Sequence, residues 1–246
     1  MILDALLTLA YPQVCAVCDG SVERRRFGVA CEECWDATKV FTEAETICSK
    51  CGALDGVRCG RCESQAFTAA RAVGLYEGAL RESVLLLKRQ PHVSQQLEAL
   101  LVSAARRSPL NASTRIIPVP LHDKRLKSRG FNQASIIAQA LSKSLRLPLD
   151  DVSLLRVSGT EQYRAGLDAK GRHDTVAGAF QVRHPRMVAG EVILLIDDVF
   201  TTGATVSACA EALSQGGAGS VFVLTIARAP GAGRGKHILT PSSALA

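Results

Sequence analysis

The chain has 246 residues, of which 47% are hydrophobic and 21% charged. That balance excludes a mainly disordered, collagen-like or coiled-coil protein and fits one large domain, or an ordinary domain with a small appendage. The formal net charge of +6 is unevenly divided: residues 1–66 hold 7 Lys/Arg against 10 Asp/Glu, net −3, and the remainder is net +9, so the larger part presents a surface that attracts phosphates, on nucleic acid or on a small substrate.

Residues 1–11 are apolar but interrupted by Asp4, with no Lys or Arg ahead of them and no small-residue cleavage pattern behind. A short packing helix is expected there rather than a signal peptide, and with it a cytoplasmic protein. No apolar run approaches the roughly 18–20 residues needed to cross a bilayer, so no membrane insertion is expected.

Eight of the nine cysteines then fall between Cys15 and Cys62 as four C-x-x-C pairs: Cys15 and Cys18, Cys31 and Cys34, Cys48 and Cys51, Cys59 and Cys62. A C-x-x-C turn suits Zn²⁺, because two thiolates so spaced reach one ion at about 2.3 Å while the turn's amides hydrogen-bond the sulfurs. All-thiolate ligation leaves no open position, so two structural Zn²⁺ ions in a double zinc ribbon are expected over residues 1–66. Closure of the first four and then the last four cysteines is the simpler arrangement; interleaved closure is the alternative. A secreted disulfide scaffold would not require every cysteine to sit two residues from a partner, and four copies exceed what a redox C-x-x-C site needs. Arg24, Arg25 and Arg26 read as a solvated ribbon tip with phosphate contact as the alternative, and Cys209 as a small buried apolar residue.

From residue 67 to 228 strands and helices alternate, which predicts an α/β fold with a parallel sheet and helices on both faces. Strands are expected over residues 69–75, 115–119, 152–157, 192–196 and 220–227, and helices over 78–89, 94–107, 132–145 and 204–215. Residues 120–130 and 197–203 read as a loop and a turn, residues 158–174 as a mobile polar loop, and residues 229–246 as a flexible tail.

The segment Asp197, Asp198, Val199, Phe200, Thr201, Thr202, Gly203, Ala204, Thr205 follows a buried strand and opens a helix. Backbone N–H groups, threonine hydroxyls and the helix's positive end can encircle a monophosphate, with Gly203 allowing close approach. The two carboxylates instead suit sugar hydroxyls, with Mg²⁺ bridging other oxygens. A Walker B reading fails because no P-loop is present: around Lys236 the spacing is wrong and no Ser or Thr follows.

This segment resembles the phosphoribosyl-pyrophosphate signature of the type I phosphoribosyltransferases. The resemblance implies that Asp197 and Asp198 hold the ribose hydroxyls while Thr201, Thr202, Gly203, Ala204 and Thr205 wrap the 5′-phosphate. Further along, Ile117-Pro-Val-Pro120-Leu-His and Arg125 followed by Arg129-Gly-Phe-Asn-Gln133 are similar to the ComF family, as are the four C-x-x-C pairs ahead of them. The likeness spans about residues 3–228. It implies a pyrophosphate loop with Arg125, Arg129, Gly130 and Asn132, and a lid carrying Thr160, Gln162 and Arg172. Asn132 and Gln133 equally suit a helix cap. Thr175 and the run from Lys88 to His92 depart from the family pattern, which puts lid closure and the role of Lys88 in question. His122 and His173 read as exposed loop histidines, with proton transfer as the alternative. The family is associated with DNA uptake, and the chemistry implied is phosphoribosyl transfer, with the acceptor unread. The partner implied is phosphoribosyl pyrophosphate or a related sugar phosphate; a zinc unit that serves as a docking surface for DNA-uptake or recombination proteins is a further, structural alternative. A non-catalytic module that grips single-stranded DNA or senses a metabolite is the alternative, weakened by the 4% aromatic content, with only Phe131 well placed for stacking.

Overall fold

A computed structural model describes residues 13–45, 47–54, 59–60, 62–157 and 178–230. The helix expected over residues 1–11, the polar loop with Thr160, Gln162, Arg172, His173 and Thr175, and residues 231–246 of the tail lie outside the described residues.

The cysteine-rich segment has little regular structure. β1 (Gln13–Val14) pairs antiparallel with β2 (Ser21–Val22) around the first C-x-x-C turn, and α1 (Glu32–Asp36) begins directly after Cys31. The remainder runs β3 (Ala69–Leu75), α2 (Gly78–Leu87), α3 (Gln95–Ala105), β4 (Arg115–Pro118), α4 (Asp123–Arg129), α5 (Gln133–Leu145), β5 (Leu154–Arg156), β6 (Phe180–Val182), α6 (Pro185–Val188), β7 (Val192–Phe200), α7 (Ala204–Gln215) and β8 (Ser220–Arg228). The central sheet is parallel, in the order β3-β8-β7-β4. Its inner strands are apolar on both sides, as a sheet covered on both faces requires.

Alternation along β7 sorts the core. Leu194 and Ile196 join Leu80 and Val84 of α2, Leu97 and Leu101 of α3, and Ile137 and Leu141 of α5. Ile193 and Leu195 join Val206, Cys209 and Leu213 of α7 on the opposite face. Each such side chain contributes roughly 1.5–3 kcal/mol by leaving water. Both clusters also take in the cysteine segment: Cys15, Cys31 and Trp35 belong to the first, and Cys48, Cys51 and Cys62 to the second. Cys209 is fully buried, as its small apolar character predicts.

Three expectations need correction. Residues 120–130 are not all loop, because α4 forms within them. The His122 side chain accepts from the Lys124 amide at 3.2 Å, and Gly130 at φ +82° ends the helix with its N–H bonded to the Leu126 carbonyl; caps at both ends support a turn that buries none of its own residues. β7 does not stop at Ile196 but continues to Phe200, whose buried ring and whose pairing with Arg228 hold the strand past the acids. The strand near residue 152 is shorter than expected and pairs antiparallel with β6, outside the central sheet.

Candidate functional site

The carboxyl ends of β4 and β7 lie side by side, Pro118 paired with Ile196 and the Val119 amide donating to the Ile196 carbonyl at 2.9 Å. The loop after β4 and the acids after Ile196 therefore emerge at one edge of the sheet, where open α/β folds receive ligands. The in-out alternation of β7 slips at the acidic pair, for Val199 packs on the same cluster as Leu194 and Ile196 while Phe200 packs on the other.

Asp197 and Asp198 are both partly exposed. The Asp198 amide donates to Asp197 Oδ1 at 2.9 Å, and Lys88 Nζ, just past the end of α2, stands 3.9 Å from Asp198 Oδ2. Burial is the main cause that pushes the Asp197 carboxyl up to about 7, and the adjacent Asp198 charge adds to it against the Asp198 amide and the more distant Lys88. Asp197 is thus poised to change charge near neutrality.

Past Phe200, Thr201 and Thr202 are exposed and Gly203 adopts φ +81° as the residue opening α7. A β-carbon there would fall 2.7 Å from Phe200 Cζ and 3.1 Å from Gln65 Oε1, so only glycine fits. Thr202 Oγ1 accepts from the Ala204 amide at 3.3 Å, which leaves other N–H groups of the first turn of α7 as ready anion donors.

On the neighbouring loop Arg125 is exposed, Arg129 is partly buried and Gly130 closes α4. Asn132 caps α5, its Oδ1 accepting from the Ala134 amide at 3.2 Å while Nδ2 donates to the Val119 carbonyl at 2.9 Å. Its side chain thereby ties the loop to the end of β4. Both residues thought suited to capping are accounted for, since Gln133 is buried in the first turn of α5. His122 serves as the cap of α4.

The cysteines close sequentially. Cys15, Cys18, Cys31 and Cys34 form one group and Cys48, Cys51, Cys59 and Cys62 another, with all four ligand atoms of each within 4.8 Å of one another. Sulfur separations of 3.4 to 3.7 Å match the edges of a tetrahedron around one ion. Burial works against a charged Cys15, but the amides of Cys31, Val17 and Cys18 outweigh it and bring the thiol down to about 6. At Cys48 burial is likewise overcome, by the amides of Cys51, Lys50 and Cys59, again to about 6. Cys34 and Cys62 are pushed well up, chiefly by burial. Each group thus pairs a thiol that ionises readily with one that burial holds neutral, and its four sulfurs are a donor set that fits Zn²⁺, which would ionise the buried thiol.

Three residues near the edge were not read as site residues. Gln65 and Arg228 meet the turn only through long-range packing, which no local motif reports; the residues after Lys88 depart from the family pattern, and Lys88 itself stands beside Asp198.

These features define an α/β protein with a parallel central sheet and a leading segment that carries two four-cysteine sites. No protein-family model matches the chain. Among curated relatives, the DNA utilization protein YhgH of Shigella flexneri is 31% identical over 231 residues, 89% of this chain and 99% of that protein. Competence protein F of Haemophilus influenzae is 30% identical over 87% of this chain and 96% of its own, and competence protein ComFC of Bacillus subtilis is 32% identical over 46% and 44%. The chain belongs to the ComF family. A solved glutamine phosphoribosylpyrophosphate amidotransferase from B. subtilis superposes with a TM-score of 0.37 at 15% identity, over 61% of this chain and 27% of that one. Among the described residues no helix is long and apolar enough to cross a membrane.

Proposed function

We propose that the chain binds phosphoribosyl pyrophosphate with Mg²⁺ at the carboxyl edge of β7 and β4, as a phosphoribosyltransferase-type protein that serves DNA uptake or nucleotide metabolism. The observation that carries this reading is the meeting, at one sheet edge, of an acidic pair, a glycine-hinged hydroxyl turn and a basic loop. The carboxylates of Asp197 and Asp198 accept hydrogen bonds from the two ribose hydroxyls. The amides and hydroxyls of residues 201–205 hold the 5′-phosphate, and the Arg125 and Arg129 guanidiniums face the diphosphate, whose departure demands charge stabilisation. Mg²⁺ would be held mainly by the substrate phosphates, as this ion usually is, and would supply positive charge to the departing diphosphate. The protein's task is then to position the sugar and shield it from water, with no covalent nucleophile of its own. The relatives' names, which speak of competence and DNA utilization, support the biological setting.

The test is calorimetric titration with phosphoribosyl pyrophosphate and Mg²⁺. Binding by the native chain that Asp198→Asn abolishes is the expected result, and absence of heat from the native chain would overturn the reading. Release of pyrophosphate in a screen of nucleobases and amines then separates an enzyme from a sensor. A second reading, contact with single-stranded DNA, is favoured by the exposed basic side chains of α4 beside the partly buried Phe131. It requires an affinity that falls steeply with salt.

A further inference from the structure

The cysteine segment touches the phosphate turn at three points, and none of them follows from the function proposed above. Cys62 passes directly into Gln65, whose amide donates to the Cys62 carbonyl at 3.1 Å. Gln65 is 8% exposed, and its Oε1 is buried with no hydrogen-bond partner among the described residues. That oxygen occupies the space beside Gly203 that a side chain there would fill, 3.1 Å from the β-carbon position. The next residue, Ala66, donates its amide to Ser207 Oγ in the first turn of α7 at 2.9 Å. From the other side of the quartet, the Cys51 carbonyl accepts from Arg228 Nη1 at 2.5 Å. The same guanidinium lies 4.8 Å over the Phe200 ring, and that ring abuts Gly203 and meets Phe67 edge-on at 5.9 Å.

We propose that the second quartet, Cys48, Cys51, Cys59 and Cys62, positions the phosphate turn when it holds its metal, with Gln65 and Arg228 as the positioning residues. This rests on the reading of residues 201–205 as the seat of a sugar phosphate. Metal closure fixes where the Cys62 and Cys51 carbonyls stand, and they fix Gln65 and Arg228. Those two side chains bear on Gly203 and Phe200, the residues that set how the turn's amides are aimed. The buried Gln65 Oε1 has no hydrogen-bond partner among the described residues, so its position reflects its fit against Gly203. Metal occupancy and anion affinity are therefore linked. Linkage is reciprocal, so the ligand must tighten the metal by the same factor that the metal tightens the ligand.

The experiment uses the full chain loaded with two zinc ions and the variants Gln65→Ala, Gln65→Met and Arg228→Met, each confirmed to retain both ions, with ribose 5-phosphate as the probe. Gln65→Ala and Arg228→Met should weaken the probe about 5- to 150-fold, the usual range of coupling between sites. Gln65→Met, which refills the space, should restore binding to within about twofold. Saturating probe should raise the affinity for one of the two zinc ions in chelator competition, by the factor that separates probe affinities with and without that ion. Unchanged probe affinity in both Gln65→Ala and Arg228→Met, or zinc affinities indifferent to the probe, would overturn the proposal. A native chain that ignores the probe would sink the sugar-phosphate reading, and the positioning claim then stands or falls on amide exchange: removal of the second zinc should speed exchange over residues 201–207 at least about tenfold, and equal rates would refute it.

Discussion

Asp197 lies where β7 leaves its apolar run, flanked by a second acid and by burial that favours its neutral form. Its carboxyl rises from the ordinary 3.8 to about 7 in the folded chain. Between those values the folded state holds a proton that the unfolded state has lost, so folding stability falls as pH rises through this window and levels off above about 7. Asp197→Asn should remove this slope and stabilise the unliganded chain at pH 8 by roughly 1 kcal/mol, the scale of a single stabilising substitution. Denaturant unfolding of both chains at pH 5 and pH 8 checks it: the zinc sites' own pH dependence cancels in the difference between them, and a difference that is the same at both pH values would contradict the assignment. In the liganded chain the sign reverses. Sugar hydroxyls donate best to the ionised form, so sugar-phosphate affinity should rise more steeply between pH 6 and pH 8 in the native chain than in Asp197→Asn, where the phosphate's own second ionisation at about pH 6 is the remaining contribution. At Gly203 a methyl group would meet the Phe200 ring in a backbone conformation that disfavours side chains. Gly203→Ala should cost about 1–3 kcal/mol of stability and abolish phosphate binding, a pair of losses read by thermal melting and calorimetry.

At the scale of elements, the strand-turn-helix from β7 to α7 and the basic loop after β4 divide the proposed ligand between them. The double variant Arg125→Ala, Arg129→Ala should therefore weaken pyrophosphate binding about tenfold or more while leaving ribose 5-phosphate within about twofold, because charge-assisted contacts act on the group they touch. Equal loss for both ligands would show that the two basic residues act through the fold instead. The elements that were legible in the sequence are those that bury an apolar face: β3, β4, β8, α2, α3, α5 and α7 fall within two residues of expectation. α4 was not legible, because its residues bury no face and no periodic pattern marks it; its signals were the caps at His122 and Gly130. β7 outran expectation because Asp197 and Asp198 interrupt the apolar pattern while Val199 and Phe200 resume it. The acids and the turn were readable as chemistry, yet Gln65 was not, since its part depends on a contact with Gly203 that only the folded chain creates. The cysteine pairing was undecidable for a related reason, as spacing allows two closures and packing selects one.

Over the whole molecule, the two quartets are each built into a different core cluster. Removing metal should therefore disturb more than the cysteine segment. Trp35, the single tryptophan of the chain, is a local witness of the first quartet: it is 4% exposed, follows Cys34 directly in α1 and donates its indole N–H to the Phe27 carbonyl at 2.9 Å. Chelation of both ions should shift its emission to the red and lower the melting temperature by at least about 5 °C, given that 1 kcal/mol moves the midpoint by about 2–4 °C at this chain length and that structural zinc contributes several times that energy. Cys59→Ser opens only the second quartet. It should release one zinc ion and lower the melting temperature while Trp35 emission keeps its position, because the first cluster still holds its ion. Emission unchanged after both ions are gone would mean that Phe27, Trp35 and their neighbours pack without the metal, and the first quartet would then have no structural claim on the core it shares with α3.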